Sequence, residues 1–366
     1  LGVHHVQAVV GEAIRAVAVA ALVGRAFADG RVAPVEADHH PLLFLGALAV
    51  RQAGNETVLY AREPEIVTAI QDIHENPVFL PGVPIDSEIH ATGDLGRAAK
   101  ADILLLVAPA QHLRATCQAL APHTKPATPL IICAKGIEEK SSALMSEILA
   151  ETLPDMPCAV LSGPTFATEV ARGLPTAVTL ACEDPKIGQK LQQAIGSPRF
   201  RPYFSTDIIG AQIGGAVKNV LAIACGIVEG RGFGDNARAA LITRGLVEIA
   251  CLGVALGGHA KTFMGLSGLG DLSLTCSSRQ SRNLSLGVAL GEGTPLKQIL
   301  AGRKAVTEGV FTARAIPDLA ARLGIDMPIA MAVRDVLHHD ADIEQTIEDL
   351  LSRPPGEELP SDMNFA

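Results

Sequence analysis

Hydrophobic positions fall into two regimes along the chain. Between residues 56 and 182 short unbroken apolar runs recur, each bounded by turn residues. They are Glu56–Ala61 after Ala53-Gly54-Asn55, Ala101–Ala108, Leu130–Ala134 before Lys135-Gly136, Ala159–Leu161 before Ser162-Gly163-Pro164, and Ala177–Cys182. Residues apolar at successive positions fit strands covered on both faces, as in a parallel sheet. Helical patterning lies between them: Pro64–Glu75 begins with proline near its first turn, and Asn76-Pro77 and Pro81-Gly82 mark a loop. The alternation predicts a doubly wound parallel α/β sheet, with functional groups beyond the strand C-termini, where Lys135 and Gly163-Pro164-Thr165 stand.

Past about residue 206 the pattern becomes helical throughout. Ile208–Glu229, Ala237–Leu256, Arg282–Leu290, Leu296–Ala301, Phe311–Leu323 and Met327–Leu337 predict a second, all-helical domain. The boundary is expected near 200–206, around Pro198 and Pro202. The expected division is an atypical N-terminal segment over 1–43, the α/β domain over 44–205, the helical domain over 206–350 and a polar tail over 351–366. A chain of 366 residues is long enough for two cores.

Composition narrows the function classes. Residues are 48% hydrophobic and 35 are glycine, which suits closely packed layers. Net charge is −9 without a long basic tract, which argues against nucleic acid as a partner. An anionic substrate therefore needs a local cluster of Lys and Arg. Seven scattered cysteines (117, 133, 158, 182, 225, 251, 276) form no C-x-x-C pair and read as core thiols in a reducing compartment. His39-His40 and His338-His339 lack a third ligand at usable spacing, so no metal site is expected. The apolar stretch Val6–Val23 is interrupted by Glu12 and Arg15, too polar for a membrane span and without a signal-peptide pattern. The chain opens on Leu rather than Met, which reads as a fragment start. The expectation is a soluble cytoplasmic protein, and a homo-oligomer through the helical domain.

Candidate chemistry collects in three places. Lys218 sits in the apolar run Ile213-Gly-Gly-Ala-Val-Lys218-Asn219. Its ordinary reading is a snorkelling lysine at a helix edge; buried, it becomes a proton donor near neutral pH. The glycines before it admit another element, and Asn219 can hydrogen-bond. Gly265-Leu-Ser-Gly-Leu-Gly-Asp271 carries one carboxylate in a glycine-dense turn. Ser281-Arg282-Asn283 opens a helix, either as a plain N-cap or as an anion site made of N–H groups and a guanidinium fork. Singly, each plain reading suffices. Together they describe a site that holds a small phosphorylated polyol and moves one proton. Arg62, at the end of the strand over 56–61, suits a 2′-phosphate and so tilts a dinucleotide cofactor toward NADP over NAD; Glu63 beside it pulls the other way. Glu308-Gly309 reads alone as a helix start.

From about Arg51 to Leu350 the chain resembles the bacterial NAD(P)-dependent glycerol-3-phosphate dehydrogenase family. The resemblance is carried by ICAKGIE (132–138), SGPTFATEVA (162–171), VKN (217–219), GLSGLGDL (265–272) and SRN (281–283). It implies a Rossmann-like sheet, an all-helical C-terminal domain and a site in the cleft between them. It implies hydride transfer between NADPH or NADH and dihydroxyacetone phosphate, giving sn-glycerol 3-phosphate for phospholipid synthesis. By that resemblance Lys218 is the proton donor and acceptor. Lys135, Gly163, Thr165, Lys218, Asp271, Ser281, Arg282 and Asn283 contact the substrate. Arg62, Lys135, Ala167, Arg282, Val306 and Glu308 contact the cofactor, with NADPH favoured.

One departure matters. The family opens with a strand, a G-x-G-x-x-G loop and a helix, which counting back from Gly54 places the loop near 38–43. Those positions read Asp-His-His-Pro-Leu-Leu, with family-like helix residues resuming at Phe44–Val50. Glycines let backbone N–H groups approach a pyrophosphate, and Pro41 has none to donate. Residues 1–43 are accordingly read as a shifted frame, a mis-called start or gene decay. Two alternatives stand beside the enzyme reading: an impaired, non-catalytic remnant, and a related hydroxyacid or polyol-phosphate dehydrogenase.

Overall fold

The computed structural model describes residues 16–20, 41–78, 80–303 and 307–358. Two compact units divide the chain: one of residues 1–134, 145–161 and 165–208, the other of 135–144, 162–164 and 209–366. Two short segments that the linear pattern assigns to the first domain thus group with the second, and these are the two that follow strand ends.

The first unit is built on eight strands: β1 (Ala16–Ala20), β2 (Glu56–Tyr60), β3 (Ile89–Thr92), β4 (Ile103–Leu106), β5 (Leu130–Ile132), β6 (Cys158–Ser162), β7 (Thr176–Cys182) and β8 (Phe200–Ser205). Their order is β8-β7-β6-β5-β4-β1-β2-β3. The pairings β1–β2, β1–β4, β2–β3, β4–β5, β5–β6 and β7–β8 run parallel. All residues of β4 and β5 are buried, as unbroken Ile/Leu runs require between helical layers. Strand order reverses at β1, the place where such sheets bind ligands.

Ala16–Ala20 holds that central position, with Ala16 opposite Glu56 and Val17 opposite Ile103. The sequence reading saw only an apolar stretch there, because alternating Ala and Val carries little periodic contrast. Pro202, read as part of a linker, instead lies in β8 opposite Val178. β8 is a terminal strand, where an absent N–H can face away from the sheet. Helix α1 (Pro41–Gln52) begins inside the segment where the glycine loop was expected. Pro41 is tolerated at its first position, where the N–H has no helical partner. The connection from β1 to α1, residues 21–40, lies outside the described residues. Helices α2 (Pro64–Ile73), α3 (Leu113–Leu120), α4 (Met145–Thr152), α5 (Ala167–Ala171) and α6 (Pro185–Ile195) complete the unit. Leu59, Ile70, Ile103, Leu105, Ile131 and Phe200 belong to its core.

The second unit is helical among the described residues, apart from one isolated bridge between Ile137 and Leu144. Its members are α7 (Ile208–Gly230), α8 (Gly234–Ala255), α9 (Asp271–Ser277), α10 (Arg282–Gly291), α11 (Leu296–Ala301), α12 (Glu308–Leu323), α13 (Pro328–His338) and α14 (Ile343–Leu351). Helix α7 is long and apolar enough to cross a membrane, yet 94% of its most apolar window is buried inside the protein. It is the central helix of a core, apolar all round because every face meets protein.

Two pairs of glycines bring α7 and α10 into backbone contact. A Cβ built on Gly226 would stand 2.8 Å from Gly287 Cα, and one on Gly230 would stand 2.9 Å from Gly291 Cα. Four-residue spacing puts each pair on one helical face. At the other end of the unit, buried Glu248 of α8 accepts from the N–H groups of Ile329 at 2.7 Å and Ala330 at 3.2 Å. Its carboxyl thus caps the start of α13, and burial pushes its pKa up to about 7.

Candidate active site

The site is assembled on α7 one turn after a glycine pair. A Cβ on Gly215 would lie 2.7 Å from Ser162 Oγ and 3.4 Å from Lys135 Cγ, so glycine here lets the segments at 135 and 162 pack closely on the helix. Gly163, next in the chain, takes φ 146°, a conformation that L side chains disfavour.

These approaches bring three charges together. Lys218 Nζ donates to Asp271 Oδ1 and, at 2.9 Å, to Thr275 Oγ1. Lys135 Nζ donates to Asp271 Oδ2 at 2.7 Å and to the Gly163 carbonyl at 2.8 Å. Thr275 Oγ1 donates to the Asp271 carbonyl at 2.7 Å. Asp271 is fully buried and Lys218 is 6% exposed. Two ammonium groups thus share one carboxylate, leaving an excess of positive charge in a dry place. Burial lowers the Lys218 pKa to about 8; the Asp271 charge pulls it up and the Lys135 charge pulls it further down. An amine in this range gives and takes a proton near neutral pH.

A second network ties three helices together. Asn283 Nδ2 donates to Asn219 Oδ1 at 2.9 Å, and Asn283 Oδ1 accepts from the Gly309 N–H at 3.0 Å. Ser281 caps α10, its Oγ accepting from Leu284 N at 3.2 Å. Arg282 opens α10 half-buried. Glu308 is buried at the start of α12, three residues before the helix was expected. Gly265–Asp271 is ordered: Leu266–Gly270 forms a wide helical turn running straight into α9.

Of the residues singled out in sequence, Lys135, Gly163, Lys218 and Asp271 meet directly, and Asn219 and Asn283 bond each other, while Ser281 and Glu308 stand at the starts of α10 and α12. Thr165 and Ala167 belong to the other unit, half-buried between β6 and α5. Arg62 is exposed just past β2. Val306 lies outside the described residues, as do His39 and His40. Sequence reading missed Thr275; the signal was its spacing four residues past Asp271, which on a helix puts both on one face. Cys225 and Cys276 are buried free thiols; contact with Cys225, followed by burial, pushes the Cys276 pKa up, so it is no nucleophile. Among the described residues no group of three potential ligands can hold a metal ion.

A nicotinamide dinucleotide fits part of this frame. The reversal of strand order at β1 and the exposed Arg62 beyond β2 suit its ribose and adenosine end. The pyrophosphate end fits poorly: α1 opens on Pro41, and residues 1–50 contain no G-x-G-x-x-G.

Comparison with known proteins agrees with this architecture. The family described as NAD-dependent glycerol-3-phosphate dehydrogenase, N-terminus, matches residues 46–188, and its C-terminal counterpart matches 207–348. The first match opens inside α1 and takes up neither β1 nor the segment after it. The glycerol-3-phosphate dehydrogenase [NAD(P)+] of Rhodospirillum rubrum is 58% identical over 305 residues, 83% of this chain and 87% of the relative. That of Parvibaculum lavamentivorans is 55% identical over 308 residues, 84% and 92% respectively. The crystal structure of glycerol-3-phosphate dehydrogenase from Coxiella burnetii superposes with a TM-score of 0.84 at 35% identity, covering 93% of this chain and 99% of that one.

Proposed function

The chain belongs to the NAD-dependent glycerol-3-phosphate dehydrogenase family, NAD(P)-dependent oxidoreductases acting on a CH–OH group, and on that premise we propose that Lys218 is the proton donor and acceptor at the substrate's C2 oxygen. The substrate pair is dihydroxyacetone phosphate and sn-glycerol 3-phosphate. When bound, the nicotinamide supplies or accepts the hydride. Lys218 gives its proton to the oxygen during reduction and takes it back during oxidation. Asp271 fixes the lysine's direction, helped by Thr275. Lys135 adds positive charge where the alkoxide develops. Arg282, with the opening N–H groups of α10, grips the phosphate, and that binding energy positions the carbonyl. Gly163, Thr165, Ser281 and Asn283 line the substrate; Ala167, Val306 and Glu308 line the cofactor, and Arg62 favours NADPH.

The observation that carries this reading is the shared carboxylate: Asp271 holds both lysines in one cluster, where burial and the Lys135 charge bring the Lys218 pKa down to about 8. The test is K218M. Its turnover falls by about 10²-fold or more while the Michaelis constant for dihydroxyacetone phosphate changes only a few-fold. In the unaltered protein, reduction declines as pH rises through about 8, because protonated Lys218 is the reactant, and oxidation gains over the same range. Turnover within a few-fold of the parent in K218M would refute the role.

A second reading rests on Pro41 and the absent glycine turn: a family member that folds but holds cofactor weakly. NADPH fluorescence titration separates the two, with submillimolar binding expected of the enzyme and none of the remnant. We further propose a cytoplasmic homo-oligomer assembled through the helical unit, whose exposed Val254, Leu323 and Met331 are apolar.

A further inference from the structure

The turn carrying Ser281, Arg282 and Asn283 is held from outside by a second arginine. Arg303 follows α11. Its Nη1 donates to the main-chain carbonyl of Arg282 at 2.7 Å, and its Nη2 donates to Ser285 Oγ at 3.0 Å. Ser285 Oγ in turn donates to the same Arg282 carbonyl at 3.1 Å. Three hydrogen bonds from two side chains thus fix the backbone of the first turn of α10 from the side.

The arrangement is electrostatically odd. Arg303 is half-buried, and no carboxylate pairs with it among the described residues. Burial lowers its pKa, and the like charge of Arg282 lowers it further. A second guanidinium beside the first is repulsive. Two such cations become favourable when an anion stands against them, and a helix start is where an anion is bound.

We propose that Arg303 is a positioning residue for the substrate phosphate. It sets the first turn of α10, and hence the Arg282 side chain, for a phosphate ester, and its charge adds to the field there. The inference rests on the reading of Ser281-Arg282-Asn283 as the phosphate grip.

The experiment compares R303M, R303K and R282M with the parent on two substrates, dihydroxyacetone phosphate and unphosphorylated dihydroxyacetone, with inorganic phosphate as competitive inhibitor. R303M is expected to raise the Michaelis constant for dihydroxyacetone phosphate about 10-fold, and the phosphate inhibition constant alike. Its kcat and its kcat/KM on dihydroxyacetone should stay within about 2-fold. R303K, which keeps the charge but loses the fork, should recover part of the loss. A merely structural role would move both substrates together, and that result, or no change on either, overturns the proposal. If R303M does not fold, R303K carries the same test. If R282M leaves phosphate inhibition unchanged, the phosphate grip itself is wrong and this inference falls with it. If R282M weakens phosphate and R303M does not, only the role of Arg303 fails.

Discussion

Replacing Gly287 with alanine tests the link from helix packing to the site. In the interior of an isolated helix that change is favourable by about 0.5–1 kcal/mol, because glycine loses more backbone freedom on folding. Here the new methyl group would overlap the carbonyl oxygen of Ile223 and stand 2.9 Å from Gly226 Cα. Carbon atoms rest at about 3.5–4.0 Å from one another and about 3.3–3.6 Å from a carbonyl oxygen, so α7 and α10 must part by about 1 Å or more. The opposing atoms are backbone and cannot rotate aside. Overpacking of this kind costs about 1–3 kcal/mol. The propensity gain offsets part, leaving a net loss of about 1–2 kcal/mol. For a unit of this size that lowers the melting temperature by about 2–8 °C. The same displacement stretches the Asn219–Asn283 bond and carries Arg282 with α10, so kcat/KM should fall by about 10–100-fold. Gly302→Ala is the control: its Cβ would meet nothing closer than 3.7 Å, and both readouts should stay within error. Differential scanning calorimetry and steady-state kinetics decide the matter. A G287A protein that melts at or above the parent temperature with unchanged kinetics would refute the claim that backbone contact sets this geometry.

Two other outcomes follow from the same geometry. Thr275→Val keeps the side-chain shape but deletes the hydroxyl between Lys218 and the Asp271 carbonyl; turnover should fall about 10-fold, and the acid–base inflection near pH 8 should move, as a pH–rate profile would reveal. Glu248 has a folded-state pKa raised to about 7 from an ordinary 4.5, so its contribution is present below about 4.5 and is lost as pH rises to about 7, on the order of 3 kcal/mol in all. Glu248→Gln should flatten that slope in melting temperature between pH 5 and 7.5, and an unaltered slope would assign it to another group.

Much of the fold was legible in the chain. The apolar runs at 101–108, 130–134 and 159–161 announced a parallel sheet because both faces of each strand are covered, and the helices past 206 announced themselves by period. What escaped were elements with weak contrast. Ala16–Ala20 has no polar partner positions to set its alternation. Pro202 marked the domain boundary, where the structure has a terminal strand that can accommodate it. Leu266–Gly270 looked like a loose turn because glycine has low helix propensity, and only the packing around it makes it helical. For the site, the lysines, the aspartate and the Ser-Arg-Asn triplet could be named from residue type, since few side chains bind phosphate or move protons near neutral pH.

The amino-acid sequence by itself thus determined the two-part architecture, which follows from local patterning, and named candidate groups for the chemistry by residue type and by resemblance. Only the tertiary structure decided that Asp271 is shared between Lys135 and Lys218, that Thr275 joins them, that Arg303 holds the first turn of α10, and that burial draws the Lys218 pKa down. Those properties depend on burial and on contacts between residues 18 to 136 positions apart, and desolvation is not a property of any single segment of chain.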